Sequence, residues 1–284
     1  MCGHCGCGSK NKATIIDLAT GKETPVHDPA HDHIHPHEHI HADGTRHIHA
    51  HDHAHEHNHH HTTVVELEAR VLAKNDALAA RNRAWFTGRE ILALNLVSAP
   101  GAGKTTLLER TIRDIGRDLA ISVIEGDQAT ALDGERIRKA GAAAVQVNTG
   151  TGCHLEADMV MQGLAELRPA AGSLVMIENV GNLVCPALFD LGERAKVAIL
   201  SVTEGDDKPL KYPHMFRATK LMLLNKIDLL PHVDFDVARA IDYARQVNPE
   251  IMTLTLSARS GEGLDTWYDW LGREAAAARA AAFA

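Results

Sequence analysis

Nine residues, Ser98-Ala99-Pro100-Gly101-Ala102-Gly103-Lys104-Thr105-Thr106, follow an apolar run at 91–97. An apolar strand that turns through glycines into a helix beginning Lys-Thr is the sequence form of a P-loop. Glycines let backbone N–H groups approach a phosphate closely, and the helix N-terminus adds a favourable dipole. Gly101, Ala102, Gly103, Lys104, Thr105 and Thr106 are therefore the expected phosphate-binding residues. Lys104 is expected to reach the β and γ phosphates, and the Thr105 hydroxyl to ligate Mg²⁺. Ser98 stands where the common pattern begins with glycine, a departure expected to alter only the tight turn.

Further along, Glu125-Gly126-Asp127 ends a second apolar run, which places Asp127 to meet Mg²⁺ or the attacking water. The run at 173–177 ends in Glu178, as a Walker B strand ends in a carboxylate, and continues into Asn179-Val180-Gly181. A backbone N–H at Gly181 can sense a γ-phosphate. Glu178 occupies the position where Asp-x-x-Gly is commoner; it meets the metal directly or through water. Lys104, Asp127 and Glu178 are the catalytic candidates. The run at 221–224 ends in Asn225-Lys226-Ile227-Asp228. The Asp228 carboxylate can accept from guanine N1–H and the exocyclic amine, and a site built on such bonds rejects adenine, which cannot make them. Lys226 lies along the base, Asn225 ties the loop to the P-loop, and Ser257-Ala258 supports the base. The nucleotide expected is GTP, hydrolysed to GDP.

Soft ligands form a second chemistry. Cys153 and His154 are adjacent, and Cys185 lies four residues beyond Gly181, in the segment expected to move with the γ-phosphate. Two thiolates and an imidazole suit Ni²⁺ or Zn²⁺, with an open position or a symmetric dimer interface completing the shell. At the N-terminus Cys2, Cys5 and Cys7 crowd three thiols into seven residues, a set that suits square-planar Ni²⁺ or Cu²⁺ or tetrahedral Zn²⁺. Between 27 and 61 a histidine tract includes His31, His33, His35, His37, His39, His41, His47, His49, His51, His53, His55, His57, His59, His60 and His61. Imidazoles at every second position suit weak, multiple binding of a divalent ion, a storage function, on a segment with too few apolar residues to fold alone.

The elements that must position these groups follow from periodicity. Short β-like runs at 91–97, 119–124, 143–147, 173–177, 196–202, 221–224 and 251–256 alternate with amphipathic stretches, which predicts an α/β fold with a mostly parallel, doubly wound sheet. The chemistry-bearing residues fall at the carboxyl ends of those runs, where such sheets bind ligands. The expected organisation is a largely disordered metal-binding arm at 1–61, a helix at 62–87 with an apolar stripe of Val64, Leu67, Val71, Leu72 and Leu78, and a GTPase domain at 88–284. Thr63 and Glu66 form a capping box for that helix, and 266–284 reads as a terminal helix. A net charge of −8 without a basic stripe argues against nucleic acid. The absence of a long apolar run argues against a membrane span. Cysteines clustered in a nucleotide-binding chain read as reduced cytoplasmic thiols.

Taken together and in this order, the P-loop, Glu125-Gly126-Asp127, Cys153-His154-Leu155, Glu178–Pro186, Thr203-Glu204-Gly205-Asp206-Asp207 and Asn225–Asp228 resemble the hydrogenase nickel-incorporation GTPases, the HypB family. The resemblance extends to the cysteine-rich N-terminus and the histidine tract. It implies a slow GTPase of the signal-recognition and nitrogenase-iron-protein-like class that dimerises around nucleotide or metal. It implies nickel delivery to the large subunit precursor of [NiFe]-hydrogenase, with a small zinc-binding accessory protein as partner. Under it, Cys153, His154 and Cys185 are the G-domain nickel/zinc ligands and Cys2, Cys5 and Cys7 a tighter nickel site. Leu229, Leu230 and Val233 become dimer contacts, and Lys208 or Lys211 reaches across to a nucleotide. A metal-storage protein, a small-molecule kinase and a urease-maturation GTPase are the alternatives. The Asn225–Asp228 motif disfavours the kinase, and the adjacent Cys-His pair, in place of Cys-x-His, disfavours the urease class.

Overall fold

The computed structural model describes residues 14–26, 37–40, 46–49, 64–127, 132–150 and 152–282. In chain order, β1 (Thr14–Asp17), β2 (Glu23–Pro25), β3 (His37–Ile40) and β4 (Arg46–His49) precede a long helix, α1 (Val64–Gly88). Strands and helices then alternate through β5 (Leu92–Ser98), α2 (Lys104–Ile115), β6 (Ile121–Asp127), α3 (Leu132–Ala140), β7 (Ala143–Asn148) and α4 (Ala157–Leu167). The series continues with β8 (Leu174–Glu178), α5 (Cys185–Leu188), β9 (Ala195–Ser201), α6 (Lys208–Lys211) and α7 (Pro213–Ala218). It ends with β10 (Leu221–Asn225), a 3-10 helix (Ile227–His232), α8 (Val237–Val247), β11 (Met252–Thr255) and α9 (Leu264–Ala281).

The chain divides into two compact units, Met1–Val26 with Val71–Ala284, and His27–Arg70. The smaller unit contains the antiparallel hairpin of β3 and β4, with His37 opposite His49 and His39 opposite His47. This tract was expected to have no structure without metal. Its alternation of histidine with other residues has the period of a β-strand.

In the larger unit nine strands make one sheet in the order β11-β10-β9-β5-β8-β6-β7-β1-β2. The seven adjacent strands from β11 to β7 are parallel, as the sequence predicts. Successive residues of β5 serve opposite faces. Leu92, Leu94 and Leu96 join the cluster of Leu107, Leu108, Trp267 and Trp270 from α2 and α9. Ala93 joins Phe86, Val160 and Leu164 from α1 and α4. Burial on both sides is why these strands read as near-continuous apolar runs.

Two expectations need correction. The arm does not stay outside the domain through residue 61, because β1 pairs antiparallel with β7 and β2 with β1. Ile15 is buried opposite Val147, and the added strands cover an edge that would otherwise be open. Of the apolar stripe expected on α1, the side chains of Val64 and Leu67 lie outside the described residues, Val71 is exposed, and Leu72 and Leu78 are only half-buried. Asn75, Ala79, Asn82 and Phe86 face inward instead. The Asn75 Nδ2 donates to the Asp190 carbonyl (2.7 Å), and its Oδ1 accepts from Ala157 N–H (2.9 Å). The Asn82 Nδ2 donates to the carbonyls of Ala157 (2.8 Å) and Leu191 (3.0 Å). Amides that satisfy backbone groups at a seam do work that an apolar stripe cannot. Leu229, Leu230 and Val233, expected as dimer contacts, are partly buried and pack on the cluster that holds Phe216 and Phe235. Lys208 and Lys211 pair within the chain with Glu204 (3.2 Å) and Asp207 (2.7 Å).

Candidate functional site

The carboxyl ends of β5, β6, β8 and β10 converge on a cavity of about 500 Å³ lined by Gly101, Gly103, Lys104, Thr105, Glu178 and Gly181, among others. Gly103 caps α2 with φ 100°, a left-handed conformation that favours glycine. A Cβ there would lie 2.6 Å from Asn225 Nδ2, so the loop also needs the missing side chain for space. Lys104 is buried and its Nζ donates to Ser98 Oγ at 2.9 Å. Ser98 in turn donates to the Ala99 carbonyl at 2.6 Å. The serine thus does more than shape the turn; its hydroxyl holds the lysine across the cavity floor. Burial pushes the Lys104 ammonium below its ordinary pKa, opposed by Glu178 and neighbouring carboxylates.

The Thr105 hydroxyl donates to Glu178 Oε1 at 2.8 Å, while Glu178 Oε2 is buried with no hydrogen-bond partner. Burial raises the Glu178 carboxyl to about 7, against the pull of Lys104 and Thr105. A divalent cation beside this oxygen and the Thr105 hydroxyl would satisfy both, so the donor set fits Mg²⁺. Asp127 closes β6; its side chain lies outside the described residues.

A second cavity of about 300 Å³ opens beside the first, lined by Thr106, Asn225, Lys226, Asp228, Ala258 and Arg259 with others. Asn225 Nδ2 donates to the Ala102 carbonyl (2.9 Å), and its Oδ1 accepts from the N–H groups of Lys226 (2.8 Å) and Ala258 (3.1 Å). One side chain therefore joins three loops. The Lys226 Nζ reaches the Gly101 carbonyl at 2.7 Å, spanning the cavity. Asp228 Oδ1 is buried without a hydrogen-bond partner, the disposition expected of an acceptor awaiting the N–H edge of a base. Ser257 is buried behind the lining and receives Ser260 N–H on its hydroxyl (3.0 Å), so it shapes the loop that Ala258 presents.

The ligand atoms of Cys153, His154 and Cys185 all lie within 4.8 Å of one another. The thiols of Cys153 and Cys185 are 2.9 Å apart, and His154 Nδ1 is 3.7 Å from Cys153 Sγ. The imidazole stacks on Phe189 at 3.9 Å, and its Nε2 is buried with no hydrogen bond. Cys185 is the first residue of α5, a short helix set by Lys196. The buried Lys196 Nζ donates to the carbonyls of Pro186 (2.9 Å) and Phe189 (3.1 Å). Two thiols and one imidazole, half-buried and mutually close, form a donor set for Ni²⁺ or Zn²⁺.

Sequence reasoning found no arginine for the nucleotide, yet Arg136 of α3 lines the first cavity. Its guanidinium is held by Glu109 (2.7 Å) and Asp133 (2.9 Å) and approaches Thr106 Oγ1 at 3.4 Å. The available signal was a basic residue on the first helix after Asp127. Cys2, Cys5, Cys7, His31, His33, His35, His41, His51, His53, His55, His57, His59, His60 and His61 lie outside the described residues. His37, His39, His47 and His49 lie in the hairpin, described only by backbone pairing.

A model of the CobW/HypB/UreG nucleotide-binding domain matches residues 92–255. The hydrogenase maturation factor HypB of Azotobacter chroococcum mcd 1 is 60% identical over 211 residues, 74% of this chain and 69% of the relative. The crystal structure of HypB from Archaeoglobus fulgidus is similar with a TM-score of 0.67 and 39% identity, covering 72% of this chain and 99% of that one. HypB from Helicobacter pylori in complex with nickel gives a TM-score of 0.67 and 36% identity, covering 71% and 95%.

Proposed function

The chain belongs to the HypB family of hydrogenase maturation factors, nucleotide-binding GTPase-class proteins, and from that premise we propose that it hydrolyses GTP to control nickel delivery to a [NiFe]-hydrogenase large subunit precursor. The observation that carries this reading is the cluster of Cys153, His154 and Cys185, the last of which sits on the same segment as the cavity residue Gly181. Nickel is the cargo; zinc fits the same donors and is its competitor.

At the nucleotide, Lys104 neutralises phosphate charge, and Thr105 with Glu178 would hold Mg²⁺, which would supply further positive charge to the phosphates. Asp127 orients the attacking water. Arg136 adds a fixed positive charge at the cavity wall, and Asp228 selects guanine. Gly181 senses the γ-phosphate, so its movement displaces Cys185 relative to Cys153 and His154. Cys2, Cys5 and Cys7 with the histidine tract store the metal. The partners are a second copy of the chain, brought in by GTP or metal, and a small zinc-binding accessory protein. The setting is the cytoplasm; no helix among the described residues is long and apolar enough to cross a membrane.

The test uses the full chain with Cys2, Cys5 and Cys7 replaced by Ala, so that nickel–thiolate charge-transfer absorption reports only Cys153 and Cys185. Nickel affinity, measured by chelator competition, differs several-fold between GDP and a non-hydrolysable GTP analogue, and Cys185→Ala abolishes the difference. Equal affinities in the two nucleotide states would remove the release step from the reading. In the same assays Asp228→Asn lowers the preference for GDP over ADP by about 100-fold or more. Competition between the two nucleotides measures it.

A further inference from the structure

The reading above requires the nucleotide cavity and the metal cluster to respond to each other, and one buried side chain is bonded to the segments serving both. Asn179 follows Glu178 at the end of β8 and is 1% exposed. Its Oδ1 accepts from two backbone N–H groups, Val180 at 3.0 Å and Leu155 at 3.2 Å. Val180 begins the turn into Gly181 at the cavity wall, and Leu155 follows the Cys153-His154 pair. The other end of the amide is anchored: Asn179 Nδ2 donates to Asn95 Oδ1 (3.2 Å), and Asn95 Nδ2 donates to Glu193 Oε1 (3.1 Å). Glu193 Oε2 receives Leu191 N–H at 2.7 Å. From the opposite side the Leu155 side chain presses on Gly126, where an added Cβ would lie 2.8 Å from Leu155 Cγ. Leu155 is therefore gripped between the ends of β6 and β8, two strands whose carboxyl ends line the nucleotide cavity through Glu125, Gly126 and Glu178.

We propose that Asn179 is the positioning residue that couples nucleotide state to the geometry of the nickel ligands, by holding Val180 and Leu155 on one oxygen. The inference rests on the proposed function and adds the residue that transmits it. One acceptor shared by two donors has little slack, because hydrogen bonds weaken beyond about 3.2 Å and both donors are shielded from water. A turn at Val180 that follows the γ-phosphate must either break its own bond to the Asn179 amide or carry that amide, and with it strip the bond to Leu155 or draw Leu155 along. A buried donor left unpaired is the costlier outcome, so the Cys153-His154 loop follows. A second link, from Asn182 Nδ2 to the Cys153 carbonyl at 3.3 Å, joins the same two segments nearer the surface.

The experiment compares nickel dissociation constants with GDP and with the GTP analogue, read by thiolate absorption in the Cys2, Cys5 and Cys7 triple-alanine full chain. Their ratio is the coupling factor. In the parent protein the ratio is several-fold. Asn179→Ala brings it to within about two-fold of one, and Asn179→Asp, which keeps an oxygen for both N–H groups, restores part of it. If Asn179→Ala does not fold, Asn95→Ala, which unfastens the amide at its far end, must reduce the ratio. A variant that loses thermal stability and shifts both nickel constants together, with the ratio intact, would show Asn179 to be structural only and overturn the inference. A parent ratio of one would overturn the proposed function and this inference with it. A parent ratio of several-fold that survives Asn179→Ala overturns this inference alone.

Discussion

Glu178 is a carboxyl whose environment has moved it to about 7, mainly through burial. The folded protein then keeps a proton between the ordinary carboxylate range and neutrality, where the unfolded chain has lost it. Stability contributed by this group therefore falls as pH rises from about 4.5 to 7, the reverse of a salt-bridged carboxylate. In metal- and nucleotide-free protein, Glu178→Gln removes that slope. Urea unfolding at pH 5 and pH 8 should show the variant gaining on the parent by on the order of 2–3 kcal/mol at the higher pH. The place of the glutamate at the cavity was legible in the sequence, since a strand ending in an acid behind a P-loop brings that acid to the ligand-binding end of the sheet. Lys104, Asn225 and Asp228 were legible for the same reason. Ser98 was not, because its hydroxyl acts on a lysine six residues away and no spacing rule encodes that contact.

Most of the parallel strands were readable because they are buried on both faces, the partly exposed edge strand β11 being the exception. The seven parallel strands appear within a few residues of the runs that announced them, and α9 begins two residues before the expected start. β1 and β2 escaped because four- and three-residue strands beside a glycine- and cysteine-rich terminus carry too little pattern to separate from loop. The inward face of α1 escaped for a different reason: asparagine at a buried seam is invisible to a hydrophobic period. The structure assigns Asn82 a structural task with two backbone partners, the carbonyls of Ala157 and Leu191. Asn82→Ala should cost about 1–3 kcal/mol of unfolding free energy, since it strands buried carbonyls. Val71→Ala, on the exposed side of the same helix, should stay within about 0.5 kcal/mol. Denaturant midpoints of the two variants distinguish a polar seam from an apolar one.

For the molecule as a whole, the antiparallel strand β1, second from the sheet edge, sets a leash. Thr14 stands opposite Asn148, with Cys7 seven residues before the one and Cys153 five residues after the other. Seven to twelve residues separate Thr14 from Cys7 and Cys2, a reach of at most about 25–43 Å, so covalent geometry limits how far the N-terminal thiols lie from the strand that leads into the half-buried cluster. Metal exchange between two sites on one leash is governed by an effective concentration rather than by how much protein is in the tube. Nickel loaded on Cys2, Cys5 and Cys7 should therefore reach Cys153 and Cys185 with a rate constant unchanged by tenfold dilution, followed by stopped-flow absorption. Mixing an arm-loaded Cys153→Ala, Cys185→Ala protein with a Cys2, Cys5 and Cys7 triple-alanine acceptor converts the same exchange into a second-order one. Under the proposed function, pairing β1 with β7 makes storage and delivery successive positions on one short path, with no encounter between molecules needed to pass from the first to the second.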